Sequence, residues 1–460
     1  MTRFLLPCRG LSSLLVAGLG LLPAVASDQT TRTFTLHNMC PFPVYPGATV
    51  GAVGTAKNPV LCNNGTCANG QVCNPSNDQC YWGRLNAQDS KPLDGYSLEL
   101  TTGSTTKVDI PILTVGATDT IWSGGIWAGT DVSGSSGPRT PATAATGYCA
   151  ASQNGMWRVI PCADQITAPQ NAPTTKAEFA LVNSQDTYDI TAINGISIPL
   201  KMSPTPGQTL PPTPISMDPN LKYYWCKQAG AVIVPETPER SCSWSFASTN
   251  NAVGMALVQH HATVRLCGPT QPCPLGEICG IAYDSSQGVV GVSQECGMPL
   301  SGSWTAVQIC AAIGYDNANL KNVSPELKQS LDCQGANEIN RDLFQCSGHG
   351  SCYDPTAANS CCGCPNWPES YKPFGGNPGV ANRCYSTNQQ WISIAFPWLP
   401  YIKDACPTMY SYQYDDVAST FTCSSVRTGP PEINAANYTI TFCPEGRTTE
   451  IRASARFRHR

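Results

Sequence analysis

Charged residues and helical periodicity are both scarce in this sequence. Only 13% of the residues are Asp, Glu, Lys or Arg, and the chain carries 40 glycines and 39 prolines. Few stretches repeat apolar residues at the spacing of an amphipathic helix. This composition argues against a helical bundle and favours a mainly β fold that is rich in loops.

Long apolar runs are missing beyond the N-terminus, so we expect no membrane span. Residues 1–26 contain Arg3 and Arg9, an apolar run at 11–22 and a small-x-small motif at 24–26. That order predicts a secretory signal peptide over residues 1–26. A membrane anchor is the alternative, but the run is short for a spanning helix. We therefore expect an exported protein, extracellular or in the cell wall.

Histidine is also rare, and with five histidines and no recurring CxxC pair at zinc-finger spacing the sequence offers little for a metal. Cysteine is abundant: there are 25, of which Cys8 lies in the signal peptide, so that cleavage leaves an even number. In an oxidising compartment this predicts disulfides, and we expect no metal and no cofactor. Three sequons fit the same compartment and predict glycosylation at Asn64, Asn322 and Asn437.

Negative charge dominates the body of the chain, whereas the C-terminal end is basic. Residues 28–446 carry 20 basic and 30 acidic side chains, and the end from Arg447 holds five arginines and one glutamate. Such a body is a poor partner for nucleic acid and is compatible with a neutral polymer such as a polysaccharide. Residues 445–460 are predicted to form a basic, flexible tail.

Short alternating segments at both ends of the chain predict a β-sandwich. The best helix candidate covers residues from about 305 to 331, with Pro325 in the first turn after a Ser324 cap. The predicted strands lie within 32–38, 96–112, 120–131, 177–204, 420–423 and 437–443.

A four-cysteine unit occurs twice. Both copies contain C-x2-G-x2-C, starting at Cys67 and Cys273, and each is preceded by Leu-Cys, at Cys62 and Cys267. Each unit is too short for a core of its own, which predicts either a stapled surface loop or a small ligand-binding module. Four cysteines allow three connectivities, and the sequence does not choose among them.

Several segments together resemble the thaumatin-like proteins. They are FTLHNMCPFPVYPG, GGIWAGTD, TKAEFALVNSQDTYDITAINGISIPLKMSP, SCCGCPNWPESY, IKDACPTMYSYQYDDVASTFTC and NYTITFCP. They cover most of residues 33–444 in the family's order, interrupted by insertions at about 55–83 and 205–305 that each contain one cysteine unit. The resemblance implies a flattened β-sandwich with a disulfide-rich lobe.

The resemblance also divides the chain. Residues 27–204 would form the first part of the sandwich, 205–305 a proline-rich connector with the second insertion, 306–405 the disulfide-rich lobe, and 406–444 the closing strands. The disulfides that it implies are Cys40 with Cys443, Cys149 with Cys162, and Cys352 with Cys361.

Many thaumatin-like proteins line a cleft with one arginine and four acidic residues, and that cleft is linked to β-1,3-glucan binding and weak glucanase activity. Three of the acids are kept here. The matching positions are Glu178, Asp189, Asp415 with Asp416 as the alternative, Asn194 in place of the fourth acid, and Gly125 in place of the arginine.

This set leaves the chemistry open. Glycoside hydrolysis normally needs two carboxyl groups, so Glu178, Asp189 and Asp415 are candidate catalytic residues. Loss of the arginine would tend to raise the pKa values of the remaining acids. Asn194 can hydrogen-bond a sugar hydroxyl but cannot transfer a proton, so Asn194 and Asp416 are candidate binding residues. Binding without turnover fits as well as slow hydrolysis.

Each candidate also has a purely structural interpretation. Glu178 and Asp189 fit solvated strand positions, and Asp415 fits a turn. The nearby aromatic residues are more often core or rim residues than surfaces on which sugars stack. They are Trp122, Trp127, Tyr410, Tyr412 and Tyr414.

The leading hypothesis is a secreted, monomeric defence or wall-remodelling protein that binds cell-wall β-1,3-glucan through an acidic cleft. Its activity would be at most that of a weak endo-β-1,3-glucanase, and the resemblance implies antifungal action. One alternative is a non-enzymatic wall or defence protein that acts through its cysteine-rich modules. Another is an inhibitor of a foreign hydrolase.

Overall fold

Strands dominate the computed structural model of the chain, which is mainly β with several sheets. The residues that it describes are 31–48, 51–52, 61–66, 71–74, 78–82, 99–111, 120–130, 149–153, 156–160, 174–182, 185–193, 195–205, 242–248, 254–261, 263–268, 271–284, 291–305, 308–310, 313, 316–331, 333, 399–412, 415, 419–423 and 436–453.

Among these residues the strands and α-helices run in the following order. They are β1 (Thr31–Asn38), β2 (Tyr45–Ala48), β3 (Gly51–Ala52), β4 (Gln71–Asn74), β5 (Gln79–Trp82), β6 (Thr105–Pro111), β7 (Thr120–Gly129), β8 (Cys149–Gln153), β9 (Met156–Ile160), β10 (Lys176–Val182), β11 (Asp186–Thr191), β12 (Leu200–Pro204), β13 (Ser245–Ser248), β14 (Met255–Val258), β15 (Ile278–Asp284), β16 (Gly291–Gly297), β17 (Pro299–Trp304), β18 (Leu320–Asn322), α1 (Pro325–Leu331), α2 (Leu399–Ala405), β19 (Met409–Tyr410), β20 (Phe421–Cys423), β21 (Tyr438–Phe442) and β22 (Glu450–Ala453).

Two of the sheets pack face to face as a sandwich. The first has the strand order β12-β21-β1-β6, and the second has the order β19-β11-β10-β7-β2, with β20 also paired to β11. Aromatic rings fill the space between them: Phe34 and Phe179 have centroids 4.8 Å apart, and Tyr188 and Tyr438 have centroids 5.3 Å apart. The sandwich predicted from the alternating segments is therefore present.

A buried ion pair also joins the two sheets. Arg32 in β1 donates hydrogen bonds to Asp186 in β11, and both side chains are almost fully excluded from solvent. The Tyr438 hydroxyl donates to the same carboxylate at 2.6 Å, and the amide of Val182 donates to it at 2.9 Å. These hydrogen bonds to the Asp186 carboxylate replace those that water would make, which offsets the cost of burying its charge.

Alternation along β10 decides which residues face this core. Ala177, Phe179 and Leu181 are buried. The two residues between them, Glu178 and Ala180, are half-buried on the opposite, outer face of the sheet. Successive side chains of a strand point to opposite faces, so one register fixes both the core and the outer surface of the sheet.

A separate sheet covers the region of the second cysteine unit, with the order β17-β14-β15-β16-β18. It buries a hydrophobic cluster that the short cysteine unit could not form alone, because helix α1 and residues from 309 to 333 complete it. The division into residues 205–305 and 306–405 stays a prediction, and residues on both sides of it contribute to this cluster. The cluster consists of Met255, Leu257, Ile281, Tyr283, Val292, Trp304, Ile309, Cys310, Ile313, Leu320, Leu327, Leu331 and Cys333.

Disulfides tie distant parts of the described chain together. Cys62 and Cys423 are disulfide-bonded as well, each in a bond of its own and not to each other. Cys149 begins β8, whereas Cys162, Cys352 and Cys361 lie outside the described residues. The bonds with both cysteines described are Cys40–Cys443, Cys242–Cys406, Cys267–Cys279, Cys273–Cys296 and Cys310–Cys333.

The helix predicted over residues 305–331 is wrong in length. The described residues of this range form a helical stretch at 308–310, a 3-10 turn at Asn317–Asn319, the short strand β18 and the α-helix Pro325–Leu331. The predicted cap is present: the Ser324 hydroxyl accepts a hydrogen bond from the Leu327 amide at 3.2 Å. Ile309 and Ile313 belong to a separate helical turn, in which the Ile313 amide donates to the Ile309 carbonyl at 3.1 Å, and Leu320 joins the same core from β18.

The predicted flexible tail at 445–460 also needs correction. Residues Glu450–Ala453 form β22, which pairs in parallel with β13. Thr449 is buried and its hydroxyl donates to the Ser197 carbonyl. The partner strand lies some two hundred residues earlier, so no local pattern could reveal the pairing.

Within the part of the chain that the structure describes, the helices are too short and too polar to cross a membrane.

Candidate functional site

Strand pairing places two of the predicted acids side by side. Glu178 in β10 is opposite Asp189 in β11, and on its other side it is opposite Gly125 in β7. Directly opposed residues of antiparallel strands project to the same face, with Cβ atoms about 4.5–5.5 Å apart. Glu178, Asp189 and Gly125 therefore form one row across the outer face of the sheet.

Lys176 adds a cation to this row that the sequence interpretation missed. Its ammonium lies 3.9 Å from Glu178 Oε1 and 5.5 Å from the centre of the Trp127 ring. The Lys176 side chain is 10% exposed, whereas the Glu178 side chain is 40% exposed. The signal in the sequence was the two-residue spacing, which places Lys176 and Glu178 on the same strand face. We refer to Trp127, Lys176, Glu178 and Asp189 as the Glu178 cluster.

Burial and the attraction between Lys176 and Glu178 act in opposite directions on the pKa values of both side chains. Burial raises the pKa of Glu178, and the nearby Lys176 ammonium partly offsets that rise. Burial lowers the pKa of Lys176, and the Glu178 carboxylate opposes that fall. A carboxyl group with a raised pKa is a candidate proton donor or a pH-sensitive hydrogen-bonding group.

Gly125 leaves room for the two charged side chains. A Cβ at this position would lie 3.3 Å from Glu178 Cγ and 3.7 Å from Lys176 Cδ. The Ala177 carbonyl would also be 3.3 Å away. A larger residue in β7 would therefore compete with Lys176 and Glu178 for one space.

Asp415, the third predicted acid, lies in a closed environment. It is 1% exposed and forms an ion pair with Lys403 at 2.5 Å. Its Oδ2 accepts hydrogen bonds from the Ser411 amide at 3.0 Å, the Ser411 hydroxyl at 2.9 Å and the Ser419 hydroxyl at 3.3 Å. Lys403 in α2 also donates to the Met409 carbonyl at 2.7 Å. These contacts give Asp415 the role of holding the chain between β19 and β20.

The two groups of charges are neighbours. Burial lowers the pKa of Lys403, while Asp415 and then Asp189 act in the opposite direction. Asp189 thus lies close enough to Lys403 to interact with it electrostatically. The pairing of β11 with β19 brings this about, because it places Thr191 beside Tyr410.

The structure does not describe the other two candidate binding residues. Asn194 and Asp416 both lie outside the described residues. Of the nearby aromatic side chains that are described, Trp127, Tyr410 and Tyr412 are at least 92% buried, since their exposures are 2%, 8% and 3%. These three are core residues and offer no open ring for stacking on a sugar.

The three sequons lie in different surroundings. Asn64 is exposed in a turn, and Asn322 is exposed at the end of β18. Asn437 is half-buried, and its side-chain carbonyl accepts a hydrogen bond from the Thr33 amide at 2.8 Å. Access to a glycosylating enzyme is thus better at Asn64 and Asn322.

One group of cysteines in the described residues resembles a metal site by distance alone. The sulfurs of Cys267, Cys273 and Cys296 lie within 4.8 Å of one another. All three are oxidised, because Cys267 is bonded to Cys279 and Cys273 is bonded to Cys296. A sulfur in a disulfide is not a thiolate, which is the form that binds metals.

Comparison with known proteins finds short but high similarity to thaumatin-like proteins. A pathogenesis-related thaumatin-like protein of Cryptomeria japonica is 60% identical over 42 residues, which is 9% of this chain and 13% of that protein. A protein of Prunus avium named glucan endo-1,3-beta-glucosidase is 54% identical over 41 residues, with the same shares of 9% and 13%. A Zea mays protein named alpha-amylase/trypsin inhibitor is 38% identical over 65 residues, covering 14% of this chain and 23% of its own.

These matches therefore span only about an eighth to a quarter of the relatives' own lengths. No protein-family model matches the chain. Among solved structures, a thaumatin-like xylanase inhibitor is 19% identical, covers 44% of this chain and 87% of its own, and has a TM-score of 0.18. The chain thus shares a segment with thaumatin-like proteins, and a TM-score this low adds nothing to that statement.

Proposed function

We propose that this chain is a secreted, disulfide-braced protein that binds cell-wall β-1,3-glucan at the Glu178 cluster. The observation that carries the proposal is the pairing of Glu178 with Asp189 on the outer face of the sheet. The half-exposed Glu178 can accept hydrogen bonds from sugar hydroxyls, and the backbone pairing fixes its distance from Asp189. The short similarities to a thaumatin-like protein and to a glucan endo-1,3-beta-glucosidase support glucan as the ligand class.

Other features support the proposed extracellular location. Five disulfides among the described residues form and persist only under oxidising conditions. The N-terminal signal-peptide pattern and the exposed sequons at Asn64 and Asn322 fit export and glycosylation. A role in defence or wall remodelling is in keeping with the pathogenesis-related names of the similar proteins.

A pull-down on insoluble β-1,3-glucan tests the binding site. We expect Glu178→Gln and Asp189→Asn each to weaken binding at least about tenfold, because each removes a charged hydrogen-bond acceptor. Glu326→Gln is the matched control, since it removes an exposed carboxylate from α1, far along the chain. Insoluble β-1,4-glucan is the control for the polysaccharide.

The outcomes separate the alternatives. Equal binding by wild type and by the Glu178→Gln/Asp189→Asn double variant would contradict the Glu178 cluster and favour the cysteine-rich sheet as the binding surface. Absence of binding by the wild type would contradict glucan as the ligand. In that case inhibition of a foreign hydrolase, suggested by the name of the Zea mays protein, becomes the function to assay.

Slow hydrolysis is a second candidate function, favoured by the raised pKa of Glu178 beside a second carboxylate. Cross-strand Cβ atoms are about 4.5–5.5 Å apart. Retaining glycosidases hold their two carboxyl groups roughly 5–5.5 Å apart, a separation that side chains at directly opposed strand positions can reach. Glu178 would then act as the acid and Asp189 as the nucleophile. Release of reducing sugar that survives Glu178→Gln would rule out this assignment.

A further inference from the structure

Lys176 is held in place by two contacts that have different physical origins. Its ammonium lies 3.9 Å from Glu178 Oε1, and it also lies 5.5 Å from the centre of the Trp127 ring. The first contact is an ion pair, and the second is a cation–π contact with the aromatic side chain that gives the strongest ones. The lysine is 8% exposed, so its position is defined by the protein and not by solvent.

The strand register explains why this lysine reaches Glu178. Lys176 is two residues before Glu178 in β10, and Glu178 is opposite Gly125. Because glycine has no side chain, the space over Gly125 is taken by the stem of Lys176, whose Cδ lies 3.7 Å from the place of a Cβ there. A cation carried by β7 at position 125 and one carried by β10 at position 176 would reach the same carboxylate.

We infer that Lys176 is the positioning residue of the Glu178 cluster, supplying from β10 the cation that the resemblance places at Gly125. The inference rests on the proposed function, because it concerns the same site. Lys176 holds the Glu178 side chain over Gly125, on the β7 side of β10, and keeps the carboxylate ionised in a surrounding that favours the protonated form. It acts through Glu178 and need not touch the glucan itself.

The other charges around Glu178 strengthen the need for a nearby cation. Asp189 faces Glu178 from β11 and carries the same charge. On β7 the facing residues, Gly125 and Trp127, carry no charge. Beyond β11 the next cation is Lys403, which is already paired with Asp415 at 2.5 Å. Two neighbouring carboxylates raise each other's pKa, and a cation beside them reverses that effect.

A direct titration of Glu178 tests the inference without any ligand. Protein labelled with ¹³C at the glutamate carboxyl groups is titrated by NMR, and Glu178→Gln identifies the Glu178 signal. We expect the midpoint of Glu178 to move to higher pH in Lys176→Met and to stay near the wild-type value in Lys176→Arg. Methionine has a similar length without the charge, whereas arginine keeps it.

A relocation variant tests the geometry. In Gly125→Arg/Lys176→Met the cation is carried by β7, and the uncharged methionine leaves the place beside the Glu178 carboxylate to it. We expect this double variant to return the Glu178 midpoint toward that of the wild type. An unchanged Glu178 midpoint in Lys176→Met would overturn the inference. A Glu178 midpoint in Lys176→Arg as high as that in Lys176→Met would overturn it as well.

Glucan binding is measured on the same proteins as a second readout. We expect the acidic limb of the binding curve to move to higher pH in Lys176→Met, with binding at the wild-type midpoint about three- to tenfold weaker. If the wild type binds no glucan, the proposed function fails, and the NMR titration still decides the role of Lys176. If glucan binds but its pH profile is the same in Lys176→Met, the positioning role is overturned.

Discussion

Two lysine–carboxylate pairs among the described residues differ chiefly in their access to solvent. Lys176 and Glu178 lie on the outer face of the sheet, with Glu178 40% exposed and the charged atoms 3.9 Å apart. Lys403 and Asp415 lie 2.5 Å apart, with exposures of 2% and 0%. Glu178 of the first pair is accessible from solvent, whereas both side chains of the second pair are buried and hydrogen-bonded within the protein.

The difference shows that a carboxylate matched to a family motif need not share the function of its neighbours. Asp415 receives hydrogen bonds from the chain on both sides of it, at Ser411 and Ser419. Those bonds close the connection between β19 and β20. Glu178 keeps an exposed edge beside Asp189. Asp415 therefore has a structural role, whereas Glu178 is the carboxylate that we propose binds the ligand.

Removing the buried lysine should have the largest effect. Lys403→Met leaves the Asp415 charge buried without its partner, and we expect a loss of about 3–5 kcal/mol in the free energy of unfolding. Lys176→Met should cost less than about 1 kcal/mol, because its partner is partly solvated. Guanidinium unfolding of both variants measures the two losses, and equal losses would contradict the comparison. Lys403→Met/Asp415→Asn is the control, and it should recover part of the loss.

Neutralising Asp415 should separate stability from binding. Asp415→Asn leaves Lys403 without a counter-charge, so the free energy of unfolding should fall by roughly 2–4 kcal/mol. The folded fraction should still bind β-1,3-glucan as the wild type does, because the Glu178 cluster is intact. The measurement is glucan affinity at a temperature where circular dichroism shows the variant folded. A tenfold weaker affinity in folded Asp415→Asn would place Asp415 in the binding site after all.

The smallest expected effect is the pH dependence of stability due to Glu178. Its pKa in the folded protein is raised above the ordinary value of 4.5, so in the window above 4.5 the folded state binds more protons than the unfolded state. The stability of the wild type therefore falls as pH rises through that window. Glu178→Gln lacks this proton, so its stability relative to the wild type should increase with pH.

That difference should remain below about 1 kcal/mol, because solvent screens a side chain that is 40% exposed. Guanidinium unfolding of both proteins between about pH 4 and pH 8 measures it. A relative stability of Glu178→Gln that decreases with pH would show that Lys176 outweighs burial. Glu326→Gln should show no comparable trend, since Glu326 is exposed.

Local patterns predicted the strands of the sandwich, because alternation in segments such as β10 and β21 reports directly which residues face the core. The meeting of Glu178 and Asp189 came from the resemblance, and strand register is what the structure adds to it. Lys176 was missed because a lysine in a strand usually extends into solvent. The Lys403–Asp415 pair depends on how α2 packs against the chain after β19, which no short segment encodes.

Long-range pairing was the other information that the sequence pattern lacked. Strand β22 pairs with β13, and the second cysteine unit shares its core with α1. Both depend on contacts between residues that are far apart in the chain. Residues 305–331 were predicted as one helix, whereas the structure divides them into a helical stretch at 308–310, a 3-10 turn, strand β18 and helix α1.

The terminal disulfide has a consequence for how the chain is made. Cys40 and Cys443 are 403 residues apart, and β1 pairs with β21 next to that bond. At translation rates of about 5–20 residues per second, Cys40 waits on the order of 20–80 s for its partner to be synthesised. All the intervening cysteines appear first, and each is a competing partner. Efficient production of this protein should therefore depend on enzymes that reshuffle disulfides, and a cell short of them should accumulate chains whose first strand is bonded to the wrong cysteine.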